Sequence, residues 1–328
     1  MRERCCLPCS RWGLADDAAL AAALAQGLPG PVRILARRDS PYASSFPLAE
    51  LDVEAGDGAR LTVVWKDLTP GALLPGARAA RAQGAKSDPT SELRAYTLLD
   101  GAGLGTPRLI AAVDEPARTW LFLKLVHGAR LEHVGEPEAW QATARWLARA
   151  HTVLTARAGA LDDADRAAPA WPPPWEAPAA DALAAGAADP QRRRRIAALA
   201  PAFTAARDRL AAAPPTVIHG ELFPANVLID GERVCVLDWE TTARGPALLD
   251  LAALTAGAWE EPDEPLAEAY RRALPDPPPH RPFHADLAAA RLLTAARWLA
   301  APAAWRPPAE QARDWLRDAE AIAGRIPA

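Results

Sequence analysis

Strand-like and helix-like patterns are segregated along the chain, and this separation restricts the fold more than any other feature. Within residues 31–66, RILARR, PLAELDV and RLTVVWK read as strands, separated by SPYASS and by EAGDGA, which has hairpin turn chemistry. PRLIAAV and TWLFLKLV read as two more strands, ending near residue 125. Between the two groups, Asp88-Pro89 opens a helix, an N-cap followed by Pro at the first helical position, and Gly101 and Gly103 stop it. Residues 15–27 read as a short Ala-rich helix ended by Gly27, and 69–86 as a loop or broken helix. Beyond residue 126 helical spacing takes over. Pro137 opens a helix in which Trp140, Ala144, Leu147 and His151 recur on one face. Further helices are expected over 201–212, 246–258, 264–274, 285–300 and 309–325, with the run Arg192–Arg195 as a solvated helix face. Strands followed by helices predict an α+β chain. The expected divisions are an N-terminal extension over 1–29, a sheet-rich part over 30–125 and a mainly helical part over 126–328.

Composition excludes several classes. The 328 residues carry a formal net charge of -4, which argues against a nucleic-acid or membrane-surface binder. No apolar run approaches ~18 residues without a charge, so no membrane span is expected. The start, MRERCCLPCSRW, lacks the apolar stretch of a secretory signal. Four cysteines make no disulfide framework, and a cytoplasmic location is expected. Cys6 and Cys9 form a CxxC beside Cys5, without the second ligand pair of a structural zinc site. Oligomeric state is not legible. Lys occurs only at Lys66, Lys86 and Lys124, in a chain where nearly every other base is Arg. Arginines are therefore poor markers here, and each lysine is a better one.

Chemistry concentrates in TVIHGELFPANVLIDGERVCVLDWE, residues 216–240. NVLI and RVCVL are β-branched runs around Asp230-Gly231, a strong hairpin signal. Such a hairpin brings Asn226 and Asp238 together at its open end. A carboxamide oxygen beside a carboxylate is a hard-oxygen pair suited to Mg2+. Glu221 stands five residues before Asn226, in the loop leading to the same end, as a candidate base. Phosphoryl transfer needs this set, together with a lysine that holds the phosphates. Lys66 ends the strand TVVWK, and Glu92 on the following helix can pair with it.

These residues carry a family resemblance. HGELFPANVLI, VLDWE and GPALLDLAAL resemble the catalytic loop, metal motif and following helix of the aminoglycoside phosphotransferase family. The likeness covers roughly residues 30–300. It implies a two-lobed, protein-kinase-like α+β fold, with an antiparallel N-lobe sheet plus helix and a mainly helical C-lobe. It implies transfer of the γ-phosphate of ATP to a hydroxyl of a small molecule. Glu221 would be the catalytic base, Asn226 and Asp238 the magnesium ligands, and Lys66 with Glu92 the phosphate-anchoring pair. His219 would be a structural residue of the loop, and Asp250 would brace it. Backbone groups of Ser44 and Ser45 would cover the phosphates, and backbone near Leu123 and Leu125 would meet adenine. The chain departs from the family in three places. Glu221 stands where Asp is usual, SPYASSF has no glycine, and Lys124 occupies a position where an acid is common. A glutamate in the base position leaves an alternative, a catalytically silent nucleotide-binding pseudokinase or scaffold. His151, on an apolar helix face, is expected to be a packing histidine, and Cys235 a core residue.

Overall fold

The computed structural model describes residues 15–40, 45–82, 89–164, 189–256, 264–300 and 313–324. The chain divides into two compact units, residues 1–93 with 107–126, and residues 94–106 with 127–328.

The first unit is built on a five-stranded antiparallel sheet. Its strands are β1 (Arg33–Asp39), β2 (Leu48–Glu54), β3 (Arg60–Asp67), β4 (Leu109–Glu115) and β5 (Arg118–Lys124), in the order β1-β2-β3-β5-β4. Strict alternation in LAELDVE puts Ala49, Leu51 and Val53 on the buried face. Helix α1 (Asp17–Leu24) is capped by Asp16, which accepts from Ala19 N at 2.7 Å, and sends Leu20 and Leu24 into the same core. There Trp65 and Trp120 meet edge to face, with ring centroids 5.7 Å apart. Burial of a side chain this large contributes about 4–6 kcal/mol. Residues 69–86, expected as a loop or broken helix, hold α2 (Pro75–Ala82). Helix α3 (Pro89–Leu99) starts in this unit and continues into the other from Arg94.

The second unit is mainly helical. It contains α4 (Pro137–Ala164), α5 (Pro190–Ala198), α6 (Ala200–Ala211), α7 (Leu248–Ala256), α8 (Glu264–Ala273), α9 (His280–Leu299) and α10 (Trp315–Ala323). Helix α9 packs on α6, α7 and α10, and α4 packs on α8. Two small sheets interrupt the helices. One pairs β7 (Thr216–Ile218) with β10 (Ala243–Gly245). The other orders β6 (Ala129–Arg130), β8 (Val227–Asp230) and β9 (Arg233–Val236).

Several boundaries differ from expectation for physical reasons. Helix α9 starts five residues early, because Pro282 lies in its first turn, where no intrahelical N–H is needed. Helix α10 starts later than expected, at the Asp314 cap, whose side chain accepts from Arg317 N. Helix α5 covers the arginine run. Asp189-Pro190 starts it as Asp88-Pro89 was expected to start α3. Strands β6 and β10 are too short to show a periodicity. No helix among the described residues is long and apolar enough to cross a membrane.

Candidate active site

The loop between β7 and β8 is held by hydrogen bonds from beneath. Asp250, in the first turn of α7, is almost fully buried. Its Oδ2 accepts from His219 N at 2.7 Å, and its Oδ1 from Gly220 N at 2.8 Å. His151 Nε2 lies 3.1 Å from the same Oδ2, and His151 Nδ1 lies 2.9 Å from the Tyr270 hydroxyl. A carboxylate only accepts, so the hydrogen on this side of His151 is on Nε2. Burial opposes ionisation of Asp250. The hydrogen bond and charge of His151, with the charge and backbone N–H of His219, outweigh it and hold the carboxyl below its ordinary range. His151 is buried, as expected, and beyond packing it links α4 and α8 to the loop.

His219 is structural in its contacts. Its Nε2 donates to Leu237 O at 2.8 Å, which leaves Nδ1 to accept from Glu221 N at 3.3 Å. Burial lowers its pKa, against the pull of Asp250, and its ring lies 4.7 Å from that of Trp239. Gly220 is required for two reasons. Its φ is +86°, and an added Cβ would fall 2.4 Å from Thr241 O. Thr241 Oγ1 also donates to His219 O at 2.9 Å.

Glu221 follows directly. Arg297, near the end of α9, donates to Gly220 O at 2.6 Å and lies 3.4 Å from Glu221 Oε1. Enclosure by protein pushes the Glu221 carboxyl up to about 7. Arg297 opposes this rise, and Glu240 and Asp238 add to it. The side chain keeps 39% of its exposure, so water works against the rise as well.

The hairpin forms, with its turn one residue further on than expected. Asp230 pairs with Arg233, so Gly231 and Glu232 are the central residues. Gly231 takes φ +57°, as the first central position of a type II′ turn demands. At the open end, Leu237 N donates to Asn226 O at 2.8 Å. Asn226 Nδ2 donates to Glu221 O at 3.0 Å, which fixes the carboxamide with Oδ1 on the other branch. Asp238 is one residue beyond this rung, at φ 60° and ψ 62°, the only described non-glycine residue with positive φ. Left-handed backbone at a non-glycine residue is strained, and such strain gathers at functional sites. Asn226 offers a carboxamide oxygen and Asp238 a carboxylate, the hard-oxygen donor types that could hold Mg2+.

The first unit holds the remaining candidates. Lys66 Nζ, on β3, lies 2.7 Å from Glu92 Oε2 on α3, and both side chains are largely buried. Ser45 O accepts from Leu74 N at 3.0 Å, and Ser44 lies outside the described residues. Leu123 is buried on β5, paired with Val64 and Leu109. Leu125 N donates to Thr62 O at 3.0 Å, so its hydrogen is already used by the sheet. Lys124 is exposed. Cys235 is buried, and burial pushes its thiol up to about 11. Lys86 and the Cys5, Cys6 and Cys9 cluster lie outside the described residues. Sequence reasoning missed Arg297, Thr241 and Tyr270. Arg297 had no usable signal in a chain so rich in arginine.

Comparison with known proteins settles the family. The model of the phosphotransferase enzyme family matches residues 53–283, more than two thirds of the chain. The chain belongs to the phosphotransferase enzyme family. No curated protein sequence matches it. Solved structures share the fold of this family member at low identity. Macrolide 2'-phosphotransferase from Brachybacterium faecium is 20% identical, with 95% of this chain and 97% of that one covered and a TM-score of 0.55. Amicoumacin kinase, solved with AMP-PNP, Ca2+ and Ami, is 12% identical, with 95% of each chain covered and a TM-score of 0.55. Choline kinase from Cryptosporidium parvum is 12% identical, with 95% and 94% covered and a TM-score of 0.56. The phosphotransferase-family fold is thus a kinase-like α+β fold, as the sequence led us to expect.

Proposed function

We propose that this phosphotransferase transfers the γ-phosphoryl group of ATP to a hydroxyl of a small molecule, aminoglycoside-like or another hydroxylated metabolite. The acceptor oxygen attacks Pγ, the bond from Pγ to the leaving oxygen of ADP breaks, and the acceptor proton passes to Glu221. Lys66, held by Glu92, supplies positive charge to the phosphates. Asn226 and Asp238 would hold Mg2+, which when bound neutralises phosphate charge. Asp250, Thr241 and Arg297 keep the loop carrying Glu221 in place. The low cysteine content and the net charge of -4 support a cytoplasmic protein with no nucleic-acid partner.

One observation carries the reading. A buried carboxylate fixes a loop that presents Glu221, and the amide of Asn226 ties that loop to the hairpin end bearing Asp238. The names of the fold relatives add support. They are enzymes of small molecules, and one was solved with a nucleotide analogue and a divalent cation.

Calorimetric titration of Mg-ATP into the wild type and Asp238→Ala tests the site. Binding that needs the metal and weakens at least about tenfold in the variant is expected. A screen of hydroxylated acceptors, read by ADP release, then tests transfer. Absent or metal-independent nucleotide binding would overturn the reading. Metal-dependent binding without turnover of any acceptor would favour a silent nucleotide-binding protein.

A further inference from the structure

Two of the six histidines stand one helical turn apart at the start of α9. His280 and His284 share a face, with ring centroids 4.2 Å apart and planes tilted by 38°. Glu264 and Glu268 stand one turn apart on α8. His280 Nε2 is 3.7 Å from Glu264 Oε1 and 3.6 Å from Glu268 Oε1, and His284 Nε2 is 3.3 Å from Glu268 Oε1. One ligand atom each from Glu264, His280 and His284 lie within 4.8 Å of one another.

Two of these separations are too long for hydrogen bonds. At 3.6 and 3.7 Å they stand at and just beyond the upper edge of another geometry. Donors placed tetrahedrally at about 2.0–2.2 Å from Zn2+ stand about 3.3–3.6 Å apart. We propose that Glu264, His280 and His284 bind a divalent transition-metal ion of the Zn2+ type, which clamps the start of α9 to α8. Glu268 is the adjoining group. Arg271 grips both its oxygens at 2.9 Å, and Arg272 adds a contact at 3.2 Å, so Oε1 is held towards both imidazoles. It stands ready as a fourth donor.

Donor chemistry separates this site from the magnesium pair. Two imidazoles with a carboxylate favour zinc-like ions, whereas Mg2+ prefers an all-oxygen set. Position separates them as well. Arg297, which touches the catalytic loop, is seventeen residues beyond His280 on the same helix, or about 25 Å along its axis. The side chains of Glu264 and His280 are more than half exposed, so an ion has open access. The clamp would brace a connection rich in proline, Leu274 to Pro279, whose Pro278 O already accepts from Arg271 at 2.8 Å.

The test uses tag-free, EDTA-treated full-length protein carrying Cys5→Ser, Cys6→Ser and Cys9→Ser, which removes competing thiols. ZnCl2 is titrated by calorimetry in excess Mg2+, against the same protein with His280→Gln and His284→Gln. One saturable ion per chain is expected, weaker by at least about tenfold in the double variant, together with a zinc-dependent rise in Tm only in the parent. Should the double variant fail to fold, CoCl2 added to the parent serves instead, and the intense visible bands of tetrahedral cobalt are expected. No saturable zinc binding, equal binding in a folded double variant, or octahedral cobalt bands would overturn the proposal.

Discussion

At the scale of single residues, the loop depends on close contacts that leave little freedom. Arg297 spans Gly220 O and Glu221 Oε1, so it holds the backbone and the side chain of the proposed base at once. The extra methylene of glutamate, compared with the usual aspartate, makes such a restraint useful. Misplacement by about 1 Å can cost ~10²-fold in rate. Arg297→Lys keeps the charge but loses the planar fork. ADP release should fall by about ten- to a hundredfold with nucleotide binding little changed, and full turnover would make Arg297 only a surface partner. Gly220→Ala faces both a left-handed backbone and Thr241 O. It should cost about 1–3 kcal/mol, and lower Tm by at least about 2 °C in thermal unfolding. A variant melting with the wild type would show that Thr241 moves aside.

At the scale of elements, local sequence signals worked where short-range physics sets the outcome. Alternation placed β2, the β8–β9 hairpin formed where its β-branched runs lie, Pro89 opens α3, and the Asp189-Pro190 pair stands at the start of α5. The hairpin turn moved by one residue because only Gly231 takes positive φ there, so it must fill the first central position. Asp189 caps α5 with bonds to Gln191 N and Arg192 N, in front of an exposed arginine run that brings little apolar surface. Asp189→Ala should therefore cost about 1 kcal/mol in urea unfolding, with the urea dependence unchanged. A loss within error would mean that packing of Ile196 alone holds the helix. Strands β6 and β10 escaped notice because two and three residues carry no period, although β10 completes the support of β7.

At the scale of the whole molecule, Asp250 gathers distant parts of the second unit. It joins the loop to α7, and through His151 and Tyr270 to α4 and α8. Its folded pKa lies below that of the unfolded chain, about 3.9. Its contribution to stability is therefore complete above about pH 4 and is lost as pH falls through the lower folded value. Asp250→Asn turns an amide N–H towards a donor and should destabilise the neutral protein by about 1–3 kcal/mol. The gap between wild type and variant, followed by denaturant titration, should narrow below about pH 4. A constant gap would mean that Asp250 does not titrate with folding. The sequence by itself determined the five strands of the first sheet, most of the helices, the hairpin that carries Asn226 and Asp238, and the pairing of Lys66 with Glu92. Alternation, caps and turn residues act over a few positions, and a rare lysine stands out against many arginines. Only the tertiary structure decided which arginine meets Glu221, what lies beneath the loop, and that two histidines face two glutamates across α8 and α9. Those contacts join residues from about 12 to about 120 positions apart, and they depend on how whole helices pack, which no local pattern records.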